Sequence, residues 1–131
     1  MSGATWIRIG AILGGIAVTA GAFGAHGLKE RIDARSLEVF ETAAKYQMYH
    51  ALALIAVGLL AMAGRTGAAL SVAGWSFLLG TLIFSGTLYG LSISGIKWLG
   101  AITPIGGLAF IVGWIALAIA AGGPSKVGPE L

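Results

Sequence analysis

The sequence predicts an all-α integral membrane protein: a four-helix bundle with a short interfacial amphipathic helix between helices 1 and 2. Three observations carry this. Only 10% of the 131 residues are charged and 57% are hydrophobic, whereas a soluble domain is about a quarter charged. The charges are also segregated. They leave uncharged runs of 20 residues at Ile9–Leu28, 19 at Tyr46–Gly64, 31 at Thr66–Ile96 and 28 at Trp98–Ser125. Finally, no run alternates apolar and polar residues as a membrane barrel strand does. A helix of about 20 apolar residues crosses a bilayer core and satisfies its own backbone there. The predicted spans lie near 6–25, 47–63, 68–94 and 104–121, in a single domain of residues 1–131.

Helix 1 is read from about residue 6. Arg8, the apolar stretch and Ala20-Gly21-Ala22 together imitate a secretory signal and its cleavage site. The apolar run is longer than the 7–15 residues or so of a signal core, which favours a retained span. Gly10-x-x-x-Gly14 and Ala11-x-x-x-Gly15 in helix 1, and Gly86-x-x-x-Gly90 in helix 3, let backbones approach closely. They are read as faces inside the bundle, with faces between protomers as the alternative. At the end of helix 1, Gly27 is expected as a left-handed cap, with His26 in the last turn, where the helix dipole favours a cation.

The stretch "DARSLEVFETAAKYQMYHAL" opens with Asp33, a helix cap. Leu37, Phe40 and Ala44 follow at helical spacing, and Glu38, Glu41 and Lys45 fall opposite. Glu41 and Lys45 make a favourable i,i+4 pair. This predicts an interfacial helix over 34–46, a polar-faced connector to helix 2. Thr103-Pro104 reads as the cap and first residue of helix 4. "GIKWLGAI" then becomes a connector with Lys97 and Trp98 at headgroup level. The tail "GGPSKVGPEL" (122–131) has no intrinsic structure and orders only when docked. A neighbouring protein chain, met by Val127 and Leu131, is the expected surface, which would make this chain a subunit of an assembly; the alternative is that the tail lies along its own helix ends.

The net charge is +3, spread over membrane edges rather than gathered in a patch, which argues against nucleic acid. The absence of cysteine removes disulfides, thiolate catalysis, iron–sulfur ligation and Cys-type zinc sites. The expected partners are the lipid bilayer and membrane proteins or further copies of the chain. Lys29, Arg31, Arg35, Lys45 and Lys97 lie at one membrane edge, Arg8, Arg65 and Lys126 at the other. Five cations against three favour a cytoplasmic 26–46 segment and both termini outside, across a bacterial inner membrane.

Nearly all specific hydrogen-bonding side chains share the 26–46 end: His26, Tyr46, Gln47, Tyr49, His50, Ser85, Tyr89 and Thr103. The leading reading is a structural network in which His26 and His50 meet across adjacent helices. The functional alternative is a small-molecule or lipid site there, since intramembrane polar residues are costly and often functional. Haem held by His26 and His50 is a further alternative. There is no third ligand cluster, no carboxylate in any span and no G-x-S-x-G, so no cofactor, metal or catalysis is expected. The functional expectation is a non-catalytic binding or accessory component of a membrane assembly.

"GAFGAHGL", "FETAAKYQMYHALAL", "IFSGTLYGLS" and "ITPIGG", in that order, resemble the domain-of-unknown-function 423 family of small four-span membrane proteins. Animal transmembrane protein 256 is similar. Ile83 stands where the family motif has leucine. The resemblance runs from about residue 7 to residue 121. It implies a four-helix integral membrane protein and no mechanism. It also implies that Gly24, His26, Gln47, His50, Ser85, Tyr89, Pro104 and Gly106 are among the family's recurrent positions.

Overall fold

The computed structural model describes residues 1–127. It contains α1 (Gly3–Phe23), running on through a π-helical turn at Gly24–Leu28, then α2 (Ala34–Met62), α3 (Ala68–Ser94) and α4 (Trp98–Ala121). Three of these helices, α1 with its π turn, α3 and α4, are long and apolar enough to cross a membrane. The fourth, α2, has 29 residues, but its first half carries Arg35, Glu38, Glu41 and Lys45.

Local chemistry accounts for most helix ends. Ser2 caps α1 by accepting the Thr5 N–H at 3.1 Å. Asp33 caps α2 as expected, accepting the Ser36 N–H at 2.7 Å. Gly95, at φ +72°, turns the chain out of α3; a left-handed conformation there costs glycine nothing.

The structure departs from the sequence reading in several places. Gly27 is not a left-handed cap, because helix 1 widens into a π turn instead. The Phe23 ring lies over Gly27, where a Cβ would come within 2.8 Å of it, and the Phe40 ring lies against Gly24. The glycines make room for two aromatic rings. The interfacial helix and helix 2 are one continuous helix. No glycine or proline interrupts 34–57, and Phe40, Ala43, Gln47, His50 and Leu54 form one buried stripe through it. The exposed ion pair on α2 is Arg35–Glu38 at 3.3 Å, not Glu41–Lys45. An exposed pair in water is worth little, so helical spacing alone does not hold Glu41 and Lys45 together.

Helix 4 starts at Trp98, six residues before the predicted start, with Pro104 inside it. Proline removes the N–H that would reach Gly100. Polar side chains and neighbouring helices make such prolines tolerable in membrane helices. Beside Pro104 the Thr103 hydroxyl donates to the Leu99 carbonyl at 3.2 Å. The tail is held by the chain itself. Thr66 N–H donates to the Pro124 carbonyl (3.0 Å) and Lys126 N–H to the Gly64 carbonyl (2.8 Å). Arg65 Nη1 donates to the Gly123 carbonyl at 2.8 Å. The order of 122–127 therefore requires no partner chain. Val127 is exposed, and Leu131 lies outside the described residues.

The helices pack antiparallel in chain order, α1 on α2, α2 on α3 and α3 on α4. The two central helices are therefore α2 and α3. Their core includes the fully buried Leu54, Val57 and Phe77. The α1–α2 seam is built from small residues. Gly3 opposes Gly58 and Gly10 opposes Ala51, so closely that a Cβ on either α1 glycine would come within 2.6 Å of an α2 carbonyl. The spacing is seven residues on each helix, the repeat of left-handed supercoils. The α3–α4 seam interlocks large with small: Phe77 on Gly113, Phe110 on Gly80, and Phe84 on Gly106. Thr87 and Thr103 continue it, their hydroxyls 2.7 Å apart.

Candidate functional site

Two polar clusters sit one turn apart on the buried face of the central helix α2 and reach different neighbours. The first is built on Gln47, which is buried. Its Nε2 donates to the Leu13 carbonyl of α1 at 2.8 Å, and its Oε1 accepts from the Tyr89 hydroxyl of α3 at 2.8 Å. One amide thus ties three helices together. The Tyr89 ring meets Phe40 edge-on at 5.0 Å, and Phe40 meets Phe23 of the π-turn region at 6.4 Å.

The second cluster is built on His50, also buried. Its Nε2 lies 3.1 Å from Nε1 of Trp114 on α4. An indole nitrogen only donates, so Nε2 is the acceptor. Its Nδ1 lies 2.6 Å from the Tyr46 carbonyl, which only accepts. His50 is therefore neutral, with its proton on Nδ1. The ring stacks on Phe110 at 3.5 Å and 5°, and Tyr46 stacks more loosely on the same histidine at 6.2 Å.

Beside this cluster α2 and α4 flank a groove of about 1060 Å³ whose walls include Tyr46, Tyr49, His50, Phe84, Phe110 and Trp114. Its mouth is apolar, with Leu52, Leu108 and Ile111 exposed along it. A second groove of about 750 Å³ lies between α1 and α3, with Phe40 and Tyr89 in its wall.

The eight sequence-selected residues therefore do not form one cluster. Gln47 and Tyr89 meet directly. His50 and Tyr46 stack, and Tyr46 and Tyr49 meet edge-on at 5.6 Å. Ser85 donates to the Ala43 carbonyl of α2 at 2.8 Å, and Thr103 meets Thr87. His26 and His50 do not meet. His26 is exposed on the π turn, while the rings around His50 are Tyr46, Phe77, Phe110 and Trp114. The reason is depth: Gly10 packs on Ala51, so His50 lies beside the first half of α1, and His26 follows roughly 20 Å of helix farther on. Both His50 nitrogens are occupied, so a haem or metal would have to displace the indole. Ser92 and Ser94 each donate to a carbonyl of their own helix, as lone serines in apolar helices do.

Sequence reasoning missed Trp114, Phe110 and Thr87. Trp114 lies 64 residues from its partner. Its legible signal was the seam itself: Thr103, Gly106, Phe110 and Gly113 recur at intervals of three and four, which places Phe110 and its neighbours toward α3.

Comparison with known proteins finds relatives of this chain. The family model described as protein of unknown function (DUF423) matches residues 20–107. A UPF0382 membrane protein of Staphylococcus saprophyticus is 47% identical over 114 residues, covering 87% of this chain and 93% of that one. The UPF0382 membrane protein YwdK of Bacillus subtilis is 47% identical over 116 residues, covering 88% and 94%. One from Staphylococcus aureus strain RF122 is 50% identical over 115 residues, covering 88% and 93%. No solved structure matches the chain.

Proposed function

The chain belongs to the DUF423 family, and from that premise we propose that it is a four-span, non-catalytic binding protein that takes an apolar molecule from the bilayer. The carrying observation is the groove between α2 and α4, open along apolar side chains and walled by aromatic rings. Ligand sites are mostly apolar clefts of about 300–1,000 Å³ with a few fixed polar groups. Tyr46 and Tyr49 stand at one end of this groove as those groups. The occupied nitrogens of His50 support a binding role over an acid–base one.

The exposed face of α2 supports a fourth crossing. It changes from Glu38, Glu41 and Lys45, through Tyr46 and Tyr49, to Leu52, Leu59 and Met62. Charge, then tyrosine, then aliphatic is the order met on entering a bilayer. From Tyr46 to Met62 a helix rises about 25 Å, close to the thickness of a hydrocarbon core.

The test is photolabelling in membranes with a phospholipid bearing a diazirine in mid-chain. Leu52 and Ile111 are expected to label above Ile16 and Ile119, which are equally lipid-facing but outside this groove. Gly107→Leu fills the groove, since a Cβ there has only ordinary contacts at 3.8 Å, and is expected to remove the excess. Uniform labelling in the parent protein overturns the proposal.

A second reading, an accessory subunit of a membrane assembly, is favoured by Gly15 and Gly86, which face open space. Small lipid-facing residues allow another helix to pack closely. Native mass spectrometry from mild detergent distinguishes the two: a stable hetero-assembly supports the subunit, a lone chain carrying a lipid supports the binding protein.

A further inference from the structure

The sequence reading sets Arg8 at a membrane edge; helix packing sets it deeper. Gly3 packs on Gly58, and Gly10 on Ala51 and Ile55, so Arg8 stands level with Ile55. That is about 10–13 Å of helix rise from both Tyr46 and Met62, the middle of the apolar stretch of α2. Arg8 is exposed, and no hydrogen bond or ion pair reaches its side chain among the described residues. Sliding the hydrocarbon core until Arg8 meets its edge would draw in Glu41 and Lys45. That exchanges one charge for two, and each is costly in lipid.

Arg8 also heads a line of small residues. Ala11, Gly15 and Thr19 follow it at helical spacing on the same face and line the α1–α3 groove of about 750 Å³. Gly15 meets nothing within 4 Å. The far end of this groove leaves the hydrocarbon. Phe23 and Ile93 line it there and are exposed. Yet the Phe23 ring meets Phe40, which sits on α2 between Glu38 and Glu41. At this depth one side of the bundle is charged and the other is apolar. Lipid tails cover apolar surface only within the core; beyond it, an apolar patch marks a protein contact. From Ala11 to Phe23 the groove follows about 18 Å of helix, and its small residues let another helix approach closely.

Charge decides which helix fits. Glu41, the nearest acidic residue on α2, is roughly 20 Å from Arg8 along the helix. Glu30, Asp33 and Glu38 lie farther on, and Glu130 follows α4 in sequence. A second copy brings no carboxylate to this depth, and a two-fold pairing through this face would oppose two arginines. We propose that the α1–α3 groove receives a transmembrane helix of a different protein, and that this helix carries an acidic residue opposite Arg8. The inference rests on the four crossings and on the subunit reading, whose partner it describes.

The test uses the full chain in phosphatidylcholine vesicles, labelled at Ala63→Cys, with transmembrane peptides of leucine and alanine that carry Glu, Gln or Leu at the centre. Energy transfer is expected to show the Glu peptide associating about tenfold more tightly than the Leu peptide, the scale of one polar contact between membrane helices. Arg8→Leu, at an exposed position, is expected to remove that preference, and Arg8→Lys to keep it. Gly15→Leu fills the groove and is expected to weaken all three peptides. A Glu peptide that binds no better than the Leu peptide overturns the proposal, as does a preference that survives Arg8→Leu. A native hetero-assembly unchanged by Arg8→Leu would retain the subunit reading and overturn this partner chemistry. Labelling of residues 31 and 63 from one side would instead remove the four crossings, and the depth of Arg8 with them.

Discussion

His50 shows how much a single residue reveals once both partners of its ring are known. An indole that only donates and a carbonyl that only accepts leave one tautomer. The ring is then a spacer between α2 and α4, stacked on Phe110. His50→Leu is expected to destabilise the protein by about 1–2 kcal/mol, the range of an interhelical hydrogen bond in model peptides. Trp114→Phe keeps the packing and removes the donor, so it is expected to cost less, on the order of 0.6 kcal/mol. Unfolding in detergent checks both. Coupling near zero in the double variant would show that the two rings do not support each other. Asp33 makes a pH prediction outside the membrane. The N–H of Ser36 holds its carboxyl below the ordinary value of 3.8. Its folded-state pKa is depressed, so its stabilisation is full above that ordinary value and fades as pH falls through the lower native one. The Ser36 amide is expected to exchange faster in Asp33→Ala at pH 7, and the difference from the parent to shrink in strong acid.

At the scale of the element, the glycines divide into those that a helix needs and those that it merely carries. A Cβ on Gly106 would lie 2.5 Å from the Phe84 backbone nitrogen, whereas one on Gly86 meets nothing within 4 Å. Gly106→Ala is therefore expected to destabilise by about 1–3 kcal/mol through overpacking. Gly86→Ala is expected to be neutral or to gain roughly 0.5–1 kcal/mol of helix propensity. Thermal unfolding of the two variants in the same detergent checks the contrast. The same division explains what was legible beforehand. Charge-free runs reveal helix lengths, and α3 lies at 68–94 as read. Asp33 announces its own cap. Helix starts set by tertiary packing were not legible: Thr103-Pro104 carries every local mark of a beginning, yet α4 continues back to Trp98. The seam was legible only in part. Four-residue glycine spacing picked out Gly10, which lies in it, but also Gly14, Gly15 and Gly86, which pack loosely or not at all. The seam runs on a seven-residue interval through Gly3 and Gly10 on one side, and Gly58 and Ala51 on the other. The candidate site suffered most. Shared depth in the membrane placed Gln47 and Tyr89 at one level, but which neighbour each side chain reaches follows from tertiary packing, which sends Gln47 to α1 and α3 and His50 to α4.

At the scale of the whole molecule, the open question is how many times the chain crosses the bilayer and in which direction. Three helices are apolar enough by composition, and an odd number of crossings would put the two ends on opposite sides. The packing argues for four. The Ser125 segment pairs with Arg65 in an antiparallel bridge, so the end of α2 and the end of α4 share one level. The start of α1 joins them, because Gly3 packs on Gly58. All these points lie on one side only if α2 crosses with the others. The absence of cysteine makes this directly testable with single-cysteine variants and a membrane-impermeant maleimide on intact cells. Arg31→Cys and Ile96→Cys are expected to react alike, and Ala63→Cys oppositely to both. Equal reactivity of Arg31→Cys and Ala63→Cys would mean that α2 lies on the surface. Direction follows from the same experiment. Five cations at the edge of the 26–46 segment against three at the other favour that edge in the cytoplasm, so Ala63→Cys is the variant expected to label from outside. Labelling of Arg31→Cys instead would invert the protein and place the start of α1 and the Ser125 segment in the cytoplasm.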